Sequence, residues 1–222
     1  MPLSELIKSE HSFLNTQHTC RDAIALMEDE MLQQMPFLDA STQHYIALIQ
    51  YKDVLDWQDE QQLLVHTSLL NYKPAILANA HPFDALKVMR NNELAILPVL
   101  DKQQAYLGYL TREDLINYLG QQTAIQQEGA IIVVEVAQKD LSFAEIARIC
   151  ESEQVPIWSM HSYVLPESGR VEITIKTNSV HVSGLVQSIE RHNLQVTAVF
   201  GDQSRDTDIE DRYDLLMTYL NM

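Results

Sequence analysis

The strongest constraint on this chain is that its first half contains the same unit twice. Shifted against itself by 62 residues, the sequence pairs Asp22 with Asp84, Ala23 with Ala85, Met27 with Met89, Leu32 with Leu94, Pro36 with Pro98, Leu38 with Leu100 and Asp39 with Asp101. One residue is lost in the following loop, and at a shift of 61 Tyr45 meets Tyr106, Ala47 meets Gly108 and Asp53 meets Asp114. Loops are where a duplicated unit tolerates a change of length.

Both copies carry the same pattern. Apolar residues at helical spacing (Ala23, Leu26, Met27; Ala85, Val88, Met89) predict a helix. A short apolar strand ending in Asp39 or Asp101 follows, then a polar turn, a second strand (Tyr45 to Ile49; Tyr106 to Leu110) and a second helix beginning near Tyr51 and Arg112. Some sixty residues make a small core for a free-standing domain, so the two helix-strand-strand-helix units are expected to share an apolar interface.

The run DALKVM…LPVLD…YLGYLTREDL resembles the CBS domain family, with its small helix, its LPV-type strand ending in Asp and its strand-to-helix turn of Gly, two apolar residues, Thr, two further residues and Asp. The first copy, DAIALM…MPFLD…YIALIQYKDVL, keeps the frame and departs at the turn. The resemblance implies a CBS pair, or Bateman module, with repeat 1 over residues 1–60 and repeat 2 over residues 61–122, holding an adenine nucleotide such as AMP, ADP or ATP between the repeats.

Two readings of Gly108-Tyr109-Leu110-Thr111-Arg112-Glu113-Asp114 stand side by side. In one, the helix start favours an anion: Gly108 lets a ligand approach, Thr111 and Arg112 meet phosphate, and Asp114 meets a ribose diol. The resemblance implies these roles for Thr111 and Asp114. In the other, Thr111 and Asp114 are only a capping box. The first copy has Ala47, Gln50, Lys52 and Asp53 at the corresponding places; Lys52 suits a phosphate and Asp53 a ribose, but the hydroxyl is missing. One complete and one degraded half predict a lopsided site. His81, opening the second unit, is either a base-stacking residue, as the resemblance implies, or a surface-loop histidine.

The remaining residues predict a different module. After a polar stretch from Gly120 to Gly129, a β-branched strand (Ala130 to Val136) precedes a capping box at Ser142-Phe143-Ala144-Glu145 and a helix to about Glu153. Strands over Pro156 to Leu165 and Arg170 to Lys176, a helix over Val180 to His192 and a strand over Gln195 to Phe200 complete a βαββαβ order. The expected fold is therefore α+β: a CBS pair followed by a ferredoxin-like domain over residues 130–201. That domain is similar to ACT domains, the amino-acid-sensing modules of metabolic enzymes. It lacks their Asp-x-x-Gly turn, so subunit pairing through a sheet edge is the favoured role over amino-acid binding. An acidic stretch from Asp202 leads to an amphipathic helix expected over residues 207–222.

Charge and composition narrow the partners. A net charge of −16, from 15 Lys and Arg against 31 Asp and Glu, repels nucleic acid. Cys20 and Cys150 form neither a disulfide framework nor a metal pair, and the eight histidines show no paired-ligand spacing. No long apolar run predicts a membrane span, and MPLSELIKSEHSF does not read as a secretory signal, so a cytoplasmic protein is expected. Without a P-loop, a Gly-x-Ser-x-Gly or a Rossmann glycine cluster, the chain is expected not to be an enzyme. A CBS pair with an ACT-like domain is similar to bacterial acetoin-utilisation regulatory proteins, which implies a homodimer acting in trans on an unnamed protein. The alternative is an unliganded dimeric scaffold.

Overall fold

The repeated aspartates fasten backbone, and this is how each copy acquires its shape. In a computed structural model describing residues 3–9 and 12–201, Thr19 caps helix α1 (Cys20–Asp29): its hydroxyl accepts from the Asp22 N–H at 3.2 Å, while Asp22 accepts from the Thr19 N–H at 2.9 Å. His81 and Asp84 open the corresponding helix of the second copy, over Pro82–Asn91, where Pro82 supplies the fixed φ suited to a first turn. Asp39 and Asp101 each turn a carboxylate oxygen onto the N–H groups of the following turn, at 2.8 to 2.9 Å. Each strand pair is thereby closed into a hairpin.

The chain divides into two compact units, Met1–Tyr118 and Leu119–Met222. In the first, strands β1 (Leu14–Asn15), β2 (Gln34–Leu38) and β3 (Tyr45–Gln50) form one sheet, with β1 parallel and β3 antiparallel to β2, and helix α2 (Tyr51–Leu55) follows. The second copy repeats this with β4 (Ile76–Leu77), helix α3 (Pro82–Asn91), β5 (Ile96–Leu100), β6 (Tyr106–Thr111) and helix α4 (Arg112–Gln122). The two-residue strands β1 and β4 are an addition to the expected pattern, for two residues carry no periodicity.

Two cores fill the unit. Ala23, Met27, Phe37 and Ile49 belong to the first; Ala85, Met89, Val99 and Leu110 belong to the second. The repeats meet directly: Gln34 of β2 accepts from the Ala95 N–H at 2.8 Å, and His44 and Ala105 form an antiparallel bridge between the two turns. They also exchange their leading segments. The turn Leu3–Leu6, ahead of β1, buries Leu3 in the second core, while Leu69 and Leu70, ahead of β4, pack against the first.

The second unit contains β7 (Ile131–Val136), α5 (Phe143–Ser152), β8 (Ile157–Val164), β9 (Val171–Thr177), α6 (Ser183–Arg191) and β10 (Gln195–Phe200). Its sheet is antiparallel throughout, in the order β10-β7-β9-β8, which is the ferredoxin-like arrangement. Alternation puts Ile132 and Val134 of β7 and Ile173 and Ile175 of β9 on the buried face, against Ile146, Ile149, Leu185 and Ile189 of the helices. The expected capping box at Ser142 forms by its first half, with the hydroxyl accepting from the Glu145 N–H at 3.2 Å. The α+β fold class thus stands: paired helix-strand-strand-helix units, then a βαββαβ domain. The acidic stretch from Asp202 and the helix expected over 207–222 lie outside the described residues.

Candidate ligand-binding site

Strand β6 runs straight into α4, so Thr111 ends one element and caps the next. The Asp114 Oδ2 atom accepts from the Thr111 N–H at 3.0 Å and from the Thr111 hydroxyl at 2.5 Å, and the Asp114 N–H donates to Thr111 Oγ1 at 3.1 Å. The sequence placed the two side chains at one turn, and the structure closes them on each other. Thr19 and Asp22 show the same three bonds at α1. A Thr-x-x-Asp pair with these bonds is accordingly a sufficient helix cap by itself.

What separates the second turn from the first is a cation. The Lys8 ammonium lies 2.8 Å from Asp114 Oδ1, with the carboxylate side chain only 13% exposed. Burial opposes ionisation of Asp114, but bonds from Lys8 and Thr111 and the Lys8 charge outweigh it and hold the carboxyl below its usual range. Nothing local in the sequence signals Lys8. It comes from the far end of the unit, in a segment with no motif.

Gly108 explains how Lys8 arrives. Lys8 and Tyr109 exchange two backbone bonds, at 2.9 and 3.0 Å, and Gly108 adopts φ +138° beside them. A Cβ on Gly108 would collide with the Lys8 carbonyl and the Ile7 side chain. At Gly108 the backbone is approached by the chain's own leading segment, through Ile7 and Lys8.

The other expected residues are dispersed. Arg112 donates through Nε to the Leu94 carbonyl at 2.6 Å and lines an apolar groove of about 320 Å³ with Leu86, Met89 and Ile116. His81 accepts from the Phe83 N–H through Nδ1 at 3.1 Å and sets its ring edge-on to Phe83 and Tyr118, with centroids 4.8 and 6.4 Å apart. In the first repeat, Gln50 makes no side-chain cap at α2, Lys52 is exposed, and Asp53 is half-buried in the first turn. Ala47 is buried where Gly108 stands in the second repeat.

Among the described residues, no group of three or more His, Cys, Asp or Glu is placed to hold a metal, and no helix is long and apolar enough to cross a membrane.

This turn lies in the part of the chain that is similar to known proteins. The CBS domain family model matches residues 69–121. Similar solved structures include a CBS domain pair/ACT domain protein from Thermotoga maritima, at 17% identity and TM-score 0.48 over 55% of this chain and 98% of that one. A putative acetoin utilization protein from Vibrio cholerae matches at 20% identity and TM-score 0.46 over 57% of this chain and 95% of that one. The CBS domain of a bacterial CNNM/CorC family Mg2+ transporter, in complex with ATP, matches at 24% identity and TM-score 0.44 over 53% of this chain and 85% of that one. The residues that match the CBS domain model include Gly108, Thr111 and Asp114 of the second repeat.

Proposed function

We propose that the N-terminal unit is a regulatory module that holds an adenine nucleotide, AMP, ADP or ATP, in the cleft between the repeats and acts in trans on another protein. The observation that carries this reading is the turn at the start of α4. In the repeat that matches the CBS family, it gathers a hydroxyl from Thr111 and an ammonium from Lys8, each within hydrogen-bonding distance of the Asp114 carboxylate. A ribose diol needs the acceptors and a phosphate needs the donors. The first repeat offers Asp53 and Lys52 without a hydroxyl, so the site is lopsided. Signalling follows from differential affinity: two nucleotides that bind two states of the protein unequally shift their populations by the difference in binding free energy. The module is regulatory, with neither catalysis, nucleic acid nor membrane in its role, and it works in the cytoplasm.

Melting the protein with AMP, ADP, ATP and S-adenosylmethionine tests this. A ligand-dependent rise in Tm is expected; Asp114→Ala abolishes it and Asp53→Ala reduces it less. Equal effects of the two changes would remove the asymmetry. A second reading, the unliganded scaffold, is favoured by the closed cap itself, because α1 carries the same bonds in Thr19 and Asp22. No shift with any adenosyl compound would establish the scaffold instead.

The ACT-like unit supports a homodimer in either reading. Strand β8 forms one edge of its sheet and exposes Trp158, Tyr163 and Val164 to 50, 57 and 51%. Pairing of this edge with a second copy would cover them.

A further inference from the structure

We infer that Lys8, supplied by the leading segment of the first repeat, makes the site select a phosphorylated ligand over the bare nucleoside. The inference rests on the nucleotide reading above and names a residue that the motif does not contain.

The carboxylate of Asp114 is nearly saturated. Oδ2 accepts two bonds from Thr111, and Oδ1 faces the Lys8 ammonium at 2.8 Å. Oδ2 is thus filled, and a ribose hydroxyl that approaches Asp114 is directed to Oδ1, where it competes with the Lys8 ammonium. Lys8 is the donor that can move: its side chain is 47% exposed and ends a flexible four-carbon stem, whereas Thr111 is held by its own backbone. Its backbone, however, cannot follow. Two bonds to Tyr109 and the close fit against Gly108 pin it, with Leu3 buried in the second core behind it.

An ammonium that leaves Asp114 thus stays within one side-chain length of Thr111, the donor assigned to phosphate. On a chain of net charge −16, a phosphate ester gains from a positive charge fixed there, and adenosine does not. For the nucleoside Lys8 is only a competitor for Asp114; for the nucleotide it is a competitor that becomes a contact.

The first repeat has no such device. The Tyr72 carbonyl accepts from the Leu48 N–H at 2.8 Å, as the Lys8 carbonyl accepts from Tyr109, so Tyr72 occupies the place of Lys8 there. Its hydroxyl goes to the Asn92 carbonyl at 3.3 Å. The asymmetry between the repeats extends from the turn to the segment laid over it.

Calorimetric titration of the full chain with adenosine, AMP and ATP decides the matter, using wild type, Lys8→Met and Lys8→Arg. Wild type is expected to prefer the phosphorylated ligands. Lys8→Met is expected to weaken AMP and ATP about tenfold while adenosine holds or tightens, because a charge-assisted bond to phosphate is lost and a rival for Asp114 is removed. Lys8→Arg is expected to restore the preference, which a mere loss of folding would not allow. A wild type that binds all three ligands equally, or a Lys8→Met protein with an unchanged AMP-to-adenosine ratio, overturns the role of Lys8 and leaves the nucleotide site standing. A wild type that binds none of the three overturns the nucleotide reading and the inference with it.

Discussion

Gly108 and Ala47 hold the same place in the two repeats and meet different neighbours. Ala47 is buried in an ordinary strand, while Gly108 sits at φ +138° against the Lys8 carbonyl. Gly108→Ala is therefore expected to lower stability by about 1–3 kcal/mol through backbone strain and displacement of the leading segment, read as a lower midpoint in urea. Residues that fasten their own neighbourhood were legible from the sequence: Asp22, Asp39, Asp84, Asp101 and Asp114 all recur at the repeat shift and all bond within four residues. Lys8 was not, because its partner is distant in sequence and the pattern around it has no period. The contact of Gly108 with Lys8 was not legible for the same reason. An unoccupied approach and one filled by another part of the chain look alike from a glycine alone.

At the scale of elements, long segments with strong periodicity were read correctly and very short ones were not. Helices α1, α3, α5 and α6 and the strands of both hairpins follow their apolar patterns, whereas β1 and β4 are too short to have one. The exchange of leading segments was also beyond a local reading: it shows only in which core Leu3, Leu69 and Leu70 enter. Leu3 is wholly buried although it stands near the chain's start. Leu3→Ala is accordingly expected to cost about 2–5 kcal/mol, the range for a buried leucine, and to appear as a lowered Tm. A residue that merely frayed at a terminus would cost nothing measurable.

For the whole molecule, the chain divides into a unit with a match to the CBS domain model and a ferredoxin-like unit. The first carries the candidate ligand chemistry, and the second offers an edge strand with exposed Trp158 and Tyr163. Light scattering on a sizing column is expected to return twice the chain mass of 25.4 kDa; a particle of single chain mass would remove the dimer. The crossed leading segments have a mechanical consequence. Tension applied through Leu3 is delivered to β6 by way of the Lys8 and Tyr109 backbone bonds, and bypasses the repeat that comes next along the chain. Under load, then, the unit is expected to yield out of its sequence order, with the second repeat losing its cover before the first is pulled upon.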